Sequence, residues 1–194
     1  MTRALRPTIV FLLSIGLSLQ AAAFTESDLK RLKSSLNCQN CDLVAADLEG
    51  VELAGADLAG ADLTEANLFR ANLAGAHLVN TILVKSMPML TNFTGADLSG
   101  ADLTEAYIED ANLTNANLTN ANLTNAYLEA TNLTGGNLTG ANLTGAFLEG
   151  VNFDNADLTD AVLVGTQLGS VKNMETATLC RTTMPDGTTN NSGC

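Results

Sequence analysis

The chain has 194 residues, a formal net charge of -12 and 46% hydrophobic residues, but only 4% aromatic residues and no tryptophan. So few large side chains cannot fill a wide globular core, and Leu with Ala must carry a narrow one. The acidic balance also excludes the basic footprint of a nucleic-acid binder.

Arg3 and Arg6 precede an apolar run from Ile9 to Leu19, which ends at Ala21-Ala22-Ala23. This is the layout of a secretory signal with a cut after Ala23. The competing reading, a membrane anchor, asks for an apolar run of roughly 20 residues, and this one is shorter. Cleavage removes two positive charges and takes the net charge from -12 to -14. Residues 24-37 then read as an N-terminal capping helix. Leu29, Leu32 and Leu36 fall on one helical face, and Thr25 three before Asp28 matches a capping box. Repeat arrays need such a cap to cover the open end of their core.

From residue 38 to 172 the chain repeats a five-residue phrase: ADLAG ADLTE ANLFR ANLAG, then ANLTN ANLTN ANLTN. A hydrophobic residue recurs every five positions from Leu43 to Leu168, with Pro88 the exception, and a small residue stands two before it. Two inward positions such as Ala56 and Leu58 share one face of an extended segment. The next, Ala61, comes three later with the wrong parity, so the chain must turn once per pentapeptide. Alternating apolar spacings of two and three do not follow a helical period. Ala106-Tyr107-Ile108-Glu109 returns as Ala126-Tyr127-Leu128-Glu129 and as Ala146-Phe147-Leu148-Glu149, each twenty residues on. Four pentapeptides therefore close one square coil, and coils stack at roughly 4.8 Å.

This run resembles the pentapeptide-repeat family, whose motif is A(D/N)LXX with a central Leu or Phe. The resemblance implies an all-β, right-handed quadrilateral β-helix. Pro88 lacks a ladder donor, so a distorted side or bulge is expected among Ile82, Val84, Lys85, Ser86, Met87, Met89 and Leu90, where apolar residues replace the usual polar ones. Residues 173-194 read as a C-terminal cap and resemble the closing segment of exported cyanobacterial members of the family. That resemblance implies the thylakoid lumen or periplasm as the compartment.

The four cysteines allow three pairings. Cys38 with Cys41 and Cys180 with Cys194 is the expected set, because a rigid array holds its two ends apart. A redox-active use of Cys38 and Cys41 is a sharper reading, but no thioredoxin-like context surrounds them. A zinc site is weaker, with His77 the only histidine and placed outward in mid-array.

Sorting outward residues by the twenty-residue circuit gives four walls. Three carry Asp or Asn before the central residue, then Thr, Ala or Gly. The repeated Asn-Leu-Thr triplets match a glycosylation pattern that the repeat itself generates. The fourth wall carries Met87, Tyr107, Tyr127 and Phe147 before the centre, and Phe69, Met89, Glu109, Glu129 and Glu149 after it. These nine residues form the candidate partner surface. The alternative is that the aromatics stack only to hold coil on coil. A cation bridging Glu109, Glu129 and Glu149, or held by Asp42 and Asp62, competes with ordinary solvent screening.

No nucleophile with a neighbouring base and no phosphate-cradling loop is legible, so no catalytic, cofactor or metal residue is assigned. The expected function is a non-enzymatic exported module that binds an unidentified protein. Neither nucleic acid nor stable membrane insertion is expected after signal cleavage. Two alternatives belong to other classes. One is a DNA mimic: some family members bind gyrase, although a secretory signal would separate this chain from it. The other is a redox or metal-binding role for the cysteines.

Overall fold

The computed structural model describes residues 25–194; the signal-like segment and its Ala23 cut lie outside the described residues. The first element, α1 (Glu26–Ser35), starts at Thr25, whose Oγ1 accepts from the Asp28 backbone N–H at 3.2 Å. Leu32 is fully buried and Leu29 packs against the same core, so α1 closes the first coil. Leu36 does not share that face. It is the left-handed C-cap of α1 and is 38% exposed, because the chain has to reverse there to enter the coil. Asp28 fastens α1 to the array through its Oδ2, which accepts from the Asp42 N–H at 3.0 Å. That hydrogen bond, more than the nearby Arg31, holds the Asp28 carboxyl below the usual carboxylate range.

Beyond the helix the sides of the coil are joined by single parallel bridges, which as far as Lys172 link residues twenty apart: Asp42 with Asp62, Asn72 with Asn92, Asn122 with Asn142. The sides are too short to count as strands, so the β content lies in these stacked rungs. At every corner the central residue accepts from the inward residue three later, as Leu58 does from Ala61 at 2.9 Å. From Asn40 to Gly165 the residue before that donor lies at positive φ, as in a type II turn. Gly and Asn dominate this corner because they adopt the left-handed region at least cost. In adjacent coils they are matched: a side chain on Gly140 or Gly145 would strike the amide of Asn120 or Asn125 in the coil before.

The core is a column of paired Leu and Ala, nearly all of them with almost no exposure. Phe93 and Phe153 are its largest fully buried side chains. At three inward small positions a Thr hydroxyl donates to a carbonyl of the coil before: Thr81 to Leu58 at 2.9 Å, Thr91 to Leu68 at 2.6 Å and Thr131 to Ile108 at 2.8 Å, while Thr166 donates to Leu163 of its own coil at 2.8 Å. Each buried polar group is thereby satisfied.

Pro88 does not produce a bulge. The five-residue count and the corner at Leu90 persist, and the loss is confined to one rung, since Met87 bridges Asn67 but not Tyr107. The neighbouring bonds from Leu68 N–H to Met87 and from Arg70 N–H to Met89 lengthen to 3.2 and 3.1 Å. Proline occupies an otherwise regular central position, so what it removes is a donor.

The C-terminal segment is more than a lid. A single 3-10 turn, Met174–Thr176, takes up one extra residue, after which the ladder resumes one residue late: Asp157 bridges Thr178, and Val162 bridges Thr183. Leu179 and Thr182 are buried as inward residues would be. The chain then forms a short antiparallel hairpin of β1 (Thr182–Thr183) and β2 (Thr189–Asn190). Disulfides join Cys180 to Cys194 and Cys38 to Cys41. Cys38 and Cys41 are at most 1% exposed, with the Arg31 guanidinium against the Cys41 sulfur.

Candidate partner-binding wall

On three walls most of the outward polar side chains are occupied with one another, with exposed Ile82 and Val164 among the exceptions. Asn122 is representative. Its Oδ1 accepts from the Thr124 N–H at 3.2 Å and from the Thr124 hydroxyl at 2.6 Å, while its Nδ2 donates to Asp102 at 3.2 Å and to Thr104 at 2.8 Å in the coil before. The same ladder runs through Asn92, Asn112, Asn132 and Asn152. Asp42 and Asp62 belong to this scheme as well, each accepting from the backbone two residues on. Among the described residues no group of three or more His, Cys, Asp and Glu side chains is arranged to hold a metal.

The fourth wall starts in the same way, with Asn67 donating to Asp47 at 3.0 Å and accepting from the Phe69 N–H at 3.1 Å. Above it the chemistry changes. Met87, Tyr107, Tyr127 and Phe147 cannot accept the backbone N–H two residues on, so the hydrogen-bonded ladder is replaced by an aromatic stack. Tyr107 lies on Tyr127 with ring centres 4.8 Å apart and planes within 5°, and Tyr127 lies on Phe147 at 4.7 Å and 6°. The spacing is that of the coils themselves, and it falls within the range of ring separations that stacked aromatic pairs prefer. Lower on the wall, the Arg70 guanidinium sits 4.9 Å over the Phe69 ring. Leu90 and Phe147 are 45% and 48% exposed.

The glutamates beside the stack are strained electrostatically. Glu109 and Glu129 each keep one carboxylate oxygen sheltered and without a hydrogen-bond partner among the described residues. Desolvation pushes the Glu109 carboxyl above its ordinary pKa, and the like charges of Glu129 and Asp110 add to the effect, against its own backbone N–H. A raised carboxyl pKa means that the folded chain keeps a proton over a pH window in which the unfolded chain has lost it. Stability from this group therefore rises as pH falls through the folded pKa, and is lost as pH climbs above it. Glu109→Gln is expected to unfold at a higher temperature than the wild type at neutral pH, with the two converging below about pH 4.5. Thermal unfolding followed by circular dichroism across pH checks this; a constant offset at every pH would contradict it.

The sequence-predicted residues thus come together on one wall: Phe69, Met87 and Met89 below, then Tyr107, Tyr127 and Phe147 flanked by Glu109, Glu129 and Glu149. Sequence reasoning missed the neighbours that arrive from corners and from the tail. Lys85 reaches Glu105 at 3.6 Å, and Arg70 covers Phe69. Gln167 and Ser170 help to line a pocket of about 290 Å³ above Phe147. Corner positions show no pattern in sequence beyond a preference for Gly and Asn, so charged residues there carry no signal of where they reach.

A stacked coil whose outward side chains pair with one another on three walls, and carry an aromatic stack on the fourth, defines a β-solenoid with one chemically distinct face. The pentapeptide-repeat family model matches between residues 34 and 172, as "Pentapeptide repeats". The chain belongs to that family, whose members form right-handed β-helices. Among solved structures it is similar to HetL from the cyanobacterium Nostoc sp. strain PCC 7120, a pentapeptide repeat protein involved in heterocyst differentiation regulation. The identity is 31% over 79% of this chain and 78% of that one, with a TM-score of 0.46. It is also similar to Rfr23 from the cyanobacterium Cyanothece 51142, at 24% identity over 78% and 96% of the two chains and a TM-score of 0.39. A pentapeptide repeat protein from the Arabidopsis thaliana thylakoid lumen matches at 26% identity over 64% and 66%, with a TM-score of 0.22. No curated protein sequence matches.

Proposed function

We propose that this is an exported, non-enzymatic pentapeptide-repeat protein that binds a partner protein through its fourth wall. The observation that carries the reading is that the fourth wall alone replaces the Asn and Thr ladder in four successive coils, from Met87 to Phe147, whereas elsewhere the breaks are isolated, as at Ile82 and Val162. Coil-to-coil stability is already available from the ladder used elsewhere. The aromatic stack, in contrast, leaves two sheltered carboxylate oxygens unsatisfied and an aromatic ring half exposed, a local cost that a binding surface accounts for. Two disulfides suit an oxidising compartment. Together with the signal-like first 23 residues, they support export to the thylakoid lumen or periplasm.

Replacing Tyr107, Tyr127 and Phe147 together with Ser is expected to abolish capture of a partner from lumenal or periplasmic extract, with the circular dichroism spectrum unchanged. Capture equal to that of the wild type would reject this wall as the binding surface.

A further inference from the structure

The C-terminal segment extends three of the walls and leaves the fourth open. Above the top full coil, Asn152 bridges Lys172, Asp157 bridges Thr178 and Val162 bridges Thr183, whereas Phe147 has no bridge above it. Elsewhere in the array the central residue donates its N–H to the next coil, as Leu128 does to Phe147 at 2.9 Å, and the corner residue does the same, as Ala130 does to Glu149 at 2.8 Å. The corresponding donors on the next coil, Leu148 N–H and Gly150 N–H, find no acceptor among the described residues. Leu148 and Gln167 both line the pocket of about 290 Å³, together with Gly145, Ala146, Gly165, Ser170, Glu129 and Glu149. Small rim residues keep the slot open, and the upper face of Phe147, the last ring of the stack, has no aromatic ring over it.

We propose that this open rung is a docking slot for an extended, basic segment of a partner protein. The proposal rests on reading the fourth wall as the partner surface and states how its upper end is engaged. Three features specify the occupant. The two backbone donors, spaced as one rung of the ladder, ask for two carbonyls of an extended chain. The bare Phe147 face asks for an aromatic side chain that continues the stack. Glu149 and Glu129, on a chain whose residues after Ala23 carry a net charge of -14, ask for Lys or Arg two positions after the aromatic residue. The segment adds the missing rung in parallel, with its middle residue small because Leu168 already packs against the core.

The test is a titration of ¹⁵N-labelled mature protein with the acetylated and amidated peptide Gly-Tyr-Ala-Lys-Gly, followed by amide NMR. Shifts confined to Leu148, Glu149, Gly150 and their neighbours in the slot are expected, with the Asn112 to Thr114 wall unmoved. Affinity should fall about fivefold to tenfold in Phe147→Ser, the range set by loss of one aromatic contact, and should fall again when Glu replaces Lys in the peptide. Glu149→Gln serves as a second variant, exposed enough to leave folding intact. No shift at millimolar peptide, or equal affinity in Phe147→Ser, overturns the slot. If the peptide fails while the triple Ser variant still loses its partner, the slot falls and the wall stands. If the peptide binds while the triple variant captures its partner normally, the slot stands and the reading of the wall falls.

Discussion

Phe93→Ala is expected to destabilise the array by about 3–5 kcal/mol, the largest effect of any single truncation discussed for this protein. Phe93 is fully buried and stands directly after the Met87 to Leu90 stretch, where one rung is already missing. Its N–H still donates to Asn112 at 2.7 Å, so the phenyl ring fills the column just where the irregular side hands over to the regular Asn ladder. The core is one pair of side chains wide at each level. Neighbouring Leu residues are held in place by rungs above and below, which leaves little capacity to collapse into the space. Because each coil touches only the next, the loss weakens one junction in a stack whose stability is a sum of such junctions. Denaturant unfolding would show a lower midpoint or a separate early transition for coils on one side of Phe93. A shift smaller than about 1 kcal/mol would mean that the column repacks instead of holding rigid.

Replacing Cys180 and Cys194 together with Ala is expected to cost about 3 kcal/mol in the chain-entropy model for a loop of this length. The bond matters beyond its loop. The segment it closes supplies Thr178 and Thr183 to the ladder, buries Leu179 and Thr182, and pairs Arg181 with Asp160 at 2.6 Å. The Thr182 hydroxyl also donates to the Leu158 carbonyl at 2.7 Å. Without the staple, the exposed hairpin of β1 and β2 is the first part to detach, since a two-stranded hairpin alone is marginal in water. Hydrogen exchange should report loss of protection at Leu158, Leu163 and Thr183, and reductant should bring wild-type protein to the same state. Unchanged protection in the variant would show that the buried contacts suffice by themselves.

The fold was largely legible because its determinant is local and repeated. Each pentapeptide carries the same small residue, polar residue and Leu, and the Tyr107, Tyr127, Phe147 series reports the length of the circuit. The sequence shows Pro88 as a missing donor but not that its side stays regular, since that depends on proline geometry agreeing with the coil side. Spacing alone places Leu36 on the helical face; the chain reversal that enters the first coil takes it out. The tail reads as a separate cap because its side chains lose the motif. In the structure its backbone still follows the ladder, one residue late, after the turn at Met174–Thr176. Backbone rungs are indifferent to side-chain identity, so pattern could not reveal them.

For the candidate site, sequence alone determined which nine residues share a wall, because a strict twenty-residue circuit converts position in the chain into position on the surface. Tertiary structure decided what those residues do to one another. It stacks the rings at the coil spacing, shelters one oxygen each of Glu109 and Glu129, and leaves the rung above Phe147 open where Gln167 departs from the ladder. Those outcomes depend on distances between coils and on how the last turn closes, and a one-dimensional repeat encodes neither.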